Sequence, residues 1–288
     1  MVGATQGSIM KILIVGAGGQ VGTELLSCFP GDEVVAARRA DADLTDPGAL
    51  RRLVHATRPD LVVNAAAFTA VDLCETQPEL AMAVNATAVG VLAAAAAEQD
   101  AHLVTLSTDY VFDGTKDGPH VETDLPNPQS IYGKSKLEGE SLAGPNATVV
   151  RTSWVCSRTA PNTALTVLRL LDGDATLRFV DDQFGCPTFA VDLAMVVAEL
   201  GRRRHGGIVH VTNQGAVSWF EFVKDIARYG GHDTARVEAI ATIDLDPPRQ
   251  APRPANSVLA SDVLPDLGIA PLRHYREPLQ ELLASLQR

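Results

Sequence analysis

The stretch "IYGKSKLEGE" (131–140) sets Tyr132 and Lys136 four residues apart. In an α-helix, residues at that spacing share a face. A free phenol titrates near ~10, too high to exchange protons readily at neutral pH. An ammonium beside it favours the phenolate and lowers that value. A phenol tuned in this way can give a proton to a carbonyl oxygen as hydride arrives at the carbon. Upstream, "STDYVF" carries Ser107 and Thr108, and the Thr108 hydroxyl is suited to hydrogen-bond and orient the same oxygen. A chain with four tyrosines and five lysines meets the Tyr/Lys spacing by chance often enough that the pair alone decides nothing. Its meaning rests on what precedes it. Lys134, between the two, is expected on the solvent side.

What precedes it is a glycine turn. "KILIVGAGGQVG" is an apolar run that ends in Gly16, Gly18, Gly19 and Gly22. Gly16, Gly19 and Gly22 give GxxGxxG; the tighter GxGxxG fails at Val21. Glycines at a strand-to-helix junction permit a sharp turn and a close approach of backbone to a pyrophosphate, which then faces the positive end of the helix. An NAD-selective site usually offers a carboxylate about 20 residues later for the ribose hydroxyls. The corresponding segment here reads Ala36-Ala37-Arg38-Arg39. Two arginines suit a 2′-phosphate, so the expected cofactor is NADPH, with NADH as the alternative.

These residues must be positioned by regular elements, and the sequence alternates them. "KILIV", "DEVVAARR", "DLVVNAAA", "HLVTLSTDYVF" and "ATVVRTSWV" read as strands. Between them "TELLSCF", "TDPGALRRLVHATRP", "PELAMAVNATAVGVLAAAAAEQD" and "SIYGKSKLEGESLA" read as helices. Asp46 is placed to cap the second of these, with Pro47 in its first turn. This alternation predicts an α/β fold: a doubly wound, mostly parallel sheet of Rossmann type covered by helices on both faces. Ligands then sit at the carboxyl ends of the strands, where Thr108 lies. After Ser153 the pattern loosens. The expected division is a loose N-terminal extension at 1–9, a dinucleotide-binding domain over 10–153 with short later segments, and a smaller α/β subdomain over 154–288, mostly for substrate. "DLDPPRQAPRPANSVL" (244–259) is proline-rich and ordered only if something holds it.

Bulk properties narrow the functional classes. The 288 residues are 46% hydrophobic and carry a formal net charge of −11. That acidity argues against a nucleic-acid or membrane-surface binder. No apolar run is expected to reach the roughly 20 residues of a membrane span, and the N-terminus lacks the build of a signal peptide. Cys28, Cys74, Cys156 and Cys186 show no metal-ligand spacing and read as reduced core thiols of a cytoplasmic protein.

GxxGxxG, "NAAA", "STDYVFDG" and YxxxK, in this order, resemble the extended short-chain dehydrogenase/reductase superfamily. "VVNAAAFTAVD", "VNATA", "YGKSKLEGE", "VRTSWV" and "PTFAVDLA" are similar to dTDP-4-dehydrorhamnose reductases over essentially Lys11 to the C-terminus. The resemblance implies reduction of the C4 ketone of dTDP-4-dehydro-β-L-rhamnose to dTDP-L-rhamnose. It implies Thr108, Tyr132 and Lys136 as the catalytic trio, with Tyr132 and Lys136 also meeting the cofactor. Gly19, Gln20 and Val21 would meet its pyrophosphate, Asp43 and Leu44 its adenine, and Ala65, Ala66 and Ala67 would form a cofactor wall. Thr69, Val71, Asp109, Tyr110 and Trp154 would surround the sugar. Asn85 of "VNATA" is expected to bond backbone inside the fold. Phe68 departs from the more polar ring common at its position. Some relatives form homodimers through a structural magnesium held by glutamates. Glu24 fits one such position, but Asp192 replaces another, so the pattern for that metal is incomplete. Two other readings stay open: a related keto nucleotide-sugar reductase or epimerase, and a non-enzymatic dinucleotide-binding subunit of the methionine adenosyltransferase type.

Overall fold

The computed structural model describes residues 9–286. The N-terminal extension expected at 1–9 lies outside them except for Ile9. The first strand, β1 (Lys11–Val15), consists of the apolar run ILIV behind one lysine. Its side chains alternate between two buried layers, as a parallel strand covered on both faces requires. Ile12 and Ile14 face one layer, whereas Leu13 and Val15 face the other. The chain continues through α1 (Gln20–Leu25), β2 (Glu33–Ala37), α2 (Pro47–Thr57) and β3 (Leu61–Asn64). Asp46 caps α2 as expected, accepting the Ala49 N–H at 2.9 Å, with Pro47 as the first helical residue.

The alanine-rich run is interrupted. After α3 (Val71–Thr76) come α4 (Pro78–Met82), a π-helical turn over Ala83–Thr87, and α5 (Ala88–Ala97). Asn85, in the π turn, is buried. Its side chain accepts the Phe68 N–H at 2.8 Å and donates to Phe68 O and Ser135 Oγ, each at 3.0 Å. One wider turn swings this amide inward to hold the loop after β3, a common use of π-bulges. Contrary to the expectation from the sequence, Pro78–Ala97 is long and apolar enough by composition to cross a membrane. Here it packs on the sheet, with Leu92, Ala95 and Ala96 in the same buried layer as Leu13, Val62 and Leu103.

β4 (His102–Thr108), α6 (Ile131–Ala143) and β5 (Thr148–Thr152) complete the first run. Beyond Ser153 come β6 (Val155–Cys156), α7 (Thr163–Leu171), β7 (Leu177–Val180), β8 (Phe184–Gly185) and β9 (Thr188–Phe189). Then α8 (Ala190–Arg202) and β10 (Gly207–His210) return to the sheet. The final portion holds β11 (Val217–Ser218), α9 (Trp219–Tyr229), β12 (Val237–Ile240), α10 (Val263–Asp266) and α11 (Arg276–Leu286). The large sheet has the order β10-β5-β4-β3-β1-β2, and every pairing in it is parallel. Leu193 and Val197 of α8 join Leu25 of α1 in the layer on one face. A separate core of Val167, Leu171, Phe222, Ile226 and Leu279 binds α7, α9 and α11 together.

Strand order reverses between β1 and β3: the chain runs outward to β2, then crosses back. A crevice opens at such a switch point, at the carboxyl ends of the strands. Two backbones meet there. A Cβ on Gly16 would lie 2.7 Å from Ala66 N, and one on Gly22 only 2.1 Å from Gly16 O. Gly16 has φ +84°, in the left-handed region that glycine enters freely. The glycine pattern is therefore required by contact geometry at the switch point.

Candidate active site

The turn from β1 presents its middle outward. Gly18 is exposed, and only the Arg38 stem lies near the place of its missing Cβ, at 3.9 Å. Gln20 opens α1, and its side-chain oxygen is buried with no hydrogen-bond partner among the described residues. Val21 and Gly22 are buried behind it. An open glycine, an orphaned amide oxygen and the Arg38 side chain running past the turn fit a dinucleotide laid across it.

The two arginines, alike in sequence, differ in place. Arg38 runs beside Gly18, and its N–H is held by Asp41 Oδ2 at 2.7 Å. Arg39 has a 91% exposed side chain and only a long ion pair, 3.8 Å, to Asp43. Asp43 is engaged locally, accepting both Thr45 N–H and Thr45 Oγ1 at 2.8 Å, bonds that hold its carboxyl below the usual range. Leu44 beside it is half-buried. Ala65, Ala66 and Ala67 line the end of β3. Ala65 N bonds Val15 O, and Ala66 N bonds Asn64 Oδ1. These alanines serve as packing residues and at the same time stand at the crevice.

Thr108 ends β4, and Asp109 and Tyr110 follow in a single 3₁₀ turn. Thr108 Oγ1 accepts the Tyr110 N–H at 3.2 Å and donates to Asp109 Oδ1 at 2.9 Å. Ser130 caps α6 through the Gly133 N–H. A Cβ on Gly133 would sit 2.2 Å from Tyr110 O, so the start of α6 lies directly on that turn. The Tyr110 and Tyr132 rings meet edge to face at 5.6 Å, and Phe68 and Val71 pack in the same cluster. Thr69 is exposed beside them. Thr108, Asp109, Tyr110, Tyr132, Lys136 and Val71 are thus brought to one place, while Arg39 and Asp43 stand apart in the loop after β2. Lys134 is exposed, as expected.

Burial decides the electrostatics. Tyr132 is 8% exposed, and burial pushes its phenol well above the ordinary value, against the lowering pull of the Thr108 hydroxyl. The expectation that an ammonium brings this phenol down is therefore not met: burial raises it, and the Asp109 carboxylate adds to that rise. Lys136 is 4% exposed, and burial pulls its ammonium down to about 8, opposed by Glu140. Its Nζ donates to Leu106 O at 2.6 Å. Buried Asp109 is raised to about 6, with the Ser257 and Thr108 hydroxyls opposing. Tyr110 rises to about 12, chiefly by burial and then by the Asp109 carboxylate.

Glu140 and Arg151, which the sequence reading passed over, lock this arrangement together with Ser107. Glu140, one turn beyond Lys136, is gripped by Arg151 of β5 at 2.9 and 2.7 Å and by Ser107 Oγ at 2.5 Å. Ser107 lies between Leu106, which takes the lysine, and Thr108. The trio therefore ties β4, α6 and β5 in register. Glu140 was legible as the next residue of the Tyr132/Lys136 face. The proline-rich segment is also held: Arg253 grips Asp72 at 2.6 and 2.7 Å, and Ala251 N–H bonds Asp72 Oδ1. No local signal links residues 181 positions apart. Trp154, just past β5, has φ +46° and stacks on Trp219.

Among the described residues no group of three His, Cys, Asp or Glu side chains could hold a metal ion. Glu24 lines a groove between α1 and α8 with Glu199 and Arg202. Asp192 does not line it; it is buried and bonded to Asn213 at 2.7 Å and Arg273 at 3.0 Å.

Residues 10–288 match the family model described as the RmlD substrate binding domain. A dTDP-4-dehydrorhamnose reductase of Burkholderia thailandensis is 42% identical over 273 residues, covering 88% of this chain and 92% of that protein. The chain belongs to the dTDP-4-dehydrorhamnose reductase family. A crystal structure of such a reductase from Clostridium acetobutylicum superposes with a TM-score of 0.92 at 39% identity, covering 97% of this chain and all of that one. Another, from Bacillus anthracis in complex with NADP, gives 0.91 at 30% identity over 96% of this chain and 99% of that one. The Rossmann-type architecture is common to them, and family membership makes the chain a nicotinamide-dependent oxidoreductase.

Proposed function

We propose that this protein reduces the C4 ketone of dTDP-4-dehydro-β-L-rhamnose, with NADPH as the preferred donor, to give dTDP-L-rhamnose. The observation that carries the reading is the joint burial of Thr108, Tyr132 and Lys136 at the carboxyl end of β4, one strand removed from β1 and its glycine turn. A ketone becomes an alcohol by gaining a hydride at carbon and a proton at oxygen. The nicotinamide, when bound, supplies the hydride. Gly16, Gly19, Gln20, Val21 and Gly22 hold the pyrophosphate, and Ala65 to Ala67 and Leu44 provide apolar walls. Arg38, beside Gly18, is the partner for a 2′-phosphate.

Tyr132 supplies the proton to the ketone oxygen, and a phenol raised by burial is protonated throughout the neutral range. Thr108 orients that oxygen. Lys136, anchored on Leu106 O, sits where its charge compensates negative charge developing in the site. Thr69, Val71, Asp109, Tyr110 and Trp154 enclose the sugar, and the 154–288 portion supplies most of the remaining substrate surface. The test is oxidation of NADPH with the dTDP-4-keto sugar, product identified by mass and NMR. Tyr132→Phe should retain NADPH affinity and lose about 10²–10⁴-fold in kcat, the scale of general acid catalysis. Near-wild-type kcat in that variant would remove Tyr132 from the role.

A further inference from the structure

The chain has two tryptophans, and they stack on each other: Trp154 and Trp219 have ring centroids 3.7 Å apart and planes 13° from parallel. Both are half-buried. Trp154 stands two residues beyond Thr152, which lies in register with Thr108. In the structure its indole packs with Trp219 and Phe222 at the edge of the core that joins α7, α9 and α11, and the reductase reading sets that indole against the sugar.

The Trp154 backbone is unusual. Its φ of +46° is a left-handed conformation that bulky side chains avoid. Such a conformation persists only when the surroundings over-determine it. Trp154 O accepts Thr188 N–H at 3.2 Å across the β6/β9 pair. Two further groups arrive together on the β8/β11 ladder, where Val217 pairs with Gly185 and Ser218 with Phe184. Gly185 lies against the indole so closely that a Cβ there would be 2.5 Å from Trp154 Cε2, 2.7 Å from Cζ2 and 2.8 Å from Nε1. Trp219 follows β11 directly, its N–H bonded to Gln183 O at 3.2 Å. Phe222 backs both indoles, at 6.3 and 6.2 Å.

We propose that Trp219 and Gly185 are positioning residues, which together fix the Trp154 indole in one orientation as a preformed wall for the keto-sugar ring. Sugar rings offer C–H faces to aromatic rings, and a wall set in advance saves the ordering cost at binding. This rests on the reductase reading for the identity of the sugar and for its place against Trp154, but not for the orientation of Trp154.

The experiment uses the full chain with Trp219→Leu, Trp219→Phe and Gly185→Ala. Stacked indoles give a coupled signal in near-UV circular dichroism, and with no other tryptophan in the chain that signal reports this pair alone. Gly185→Ala keeps both indoles yet should reshape the couplet, because the added methyl forces Trp154 to move. The KM for the dTDP-4-keto sugar should rise about tenfold in Trp219→Leu and Gly185→Ala, the scale of one aromatic contact. Trp219→Phe should recover most of that loss. Kd for NADPH and for dTDP, which lacks the sugar, should stay unchanged. An unaltered couplet in Gly185→Ala overturns the proposal. So does equal weakening of dTDP and keto sugar, or a phenylalanine variant no better than leucine. If the wild type fails to turn over the keto sugar, the reductase reading falls, and the dichroism of Gly185→Ala still decides whether Gly185 fixes Trp154.

Discussion

Replacing Lys136 by methionine should abolish turnover and yet make the cofactor-free protein more stable at neutral pH. Lys136 is almost fully buried, and burial brings its ammonium from the ordinary 10.5 down to about 8. At pH 7 the fold therefore keeps a charge that its surroundings disfavour. At 1.36 kcal/mol per pH unit, the cost of the charged over the neutral form is about 3 kcal/mol. Methionine keeps the length and apolar stem without the charge. It also gives up the charge-assisted bond to Leu106 O, worth about 2 kcal/mol net. The balance is a gain of about 1 kcal/mol, which at roughly 2 °C per kcal/mol for a chain of this size raises Tm by about 2 °C. The pH dependence carries the proof. A lysine with a depressed folded pKa imposes its full penalty below about 8, and the penalty is relieved as pH rises towards the unfolded value of 10.5. The stability gap between variant and wild type should be widest near pH 7 and close between pH 8 and 10.5. Calorimetry or urea titration across that range measures it. A variant less stable at pH 7, or a gap independent of pH, would refute the reasoning.

Two further outcomes follow from the same geometry. Glu140→Ala strands the buried Arg151 guanidinium and should cost about 3–5 kcal/mol in urea unfolding. Pairing it with Arg151→Met should restore part of that loss, and a double-mutant cycle reads the coupling. Arg38→Ala should weaken NADPH about 10–100-fold in titration calorimetry, from a charge-assisted contact worth about 1.5–3 kcal/mol, while NADH binding changes little. Equal weakening of both nucleotides would assign Arg38 a structural role instead.

How much of this was legible depended on the range of the interactions. The strand at Lys11–Val15, the Asp46 cap and the shared face of Tyr132 and Lys136 arise from neighbours within a turn or two, and local pattern captures them. The break in the alanine-rich helix does not, because it follows from Asn85 reaching Phe68 and Ser135 on other elements. The same alanine and valine content that lets Pro78–Ala97 pack between helices and sheet also makes it apolar enough to span a bilayer, so composition cannot separate the two fates. Arg38 and Arg39 were indistinguishable in sequence. Only the turn of the chain after β2 sends one towards Gly18 and the other into solvent. Asp72 with Arg253, and Trp154 with Trp219, are long-range pairs that no spacing announces.

The direction of the Tyr132 shift bears on the direction of the chemistry. A phenolate is the base needed to oxidise an alcohol, and a nearby ammonium would favour it. Here desolvation dominates, and the resting site holds the phenol protonated. Reduction creates an alkoxide at the former ketone oxygen, a base far stronger than any ordinary phenolate, so a phenol held well above its usual value is still a competent acid towards it. If Tyr132 is the donor, as proposed, the proton that reduction consumes is already in place, whereas oxidation would first have to remove it at a cost set by the same burial. Lys136 contributes in a complementary way. Its charge is unfavourable while the site is neutral, and becomes compensated when negative charge appears on the phenol or the alkoxide. In the proposed reduction, burial that disfavours each charged form at rest would favour the two forms appearing together, and the Ser107–Glu140–Arg151 lock is the packing that ties the strands and helix that carry both groups.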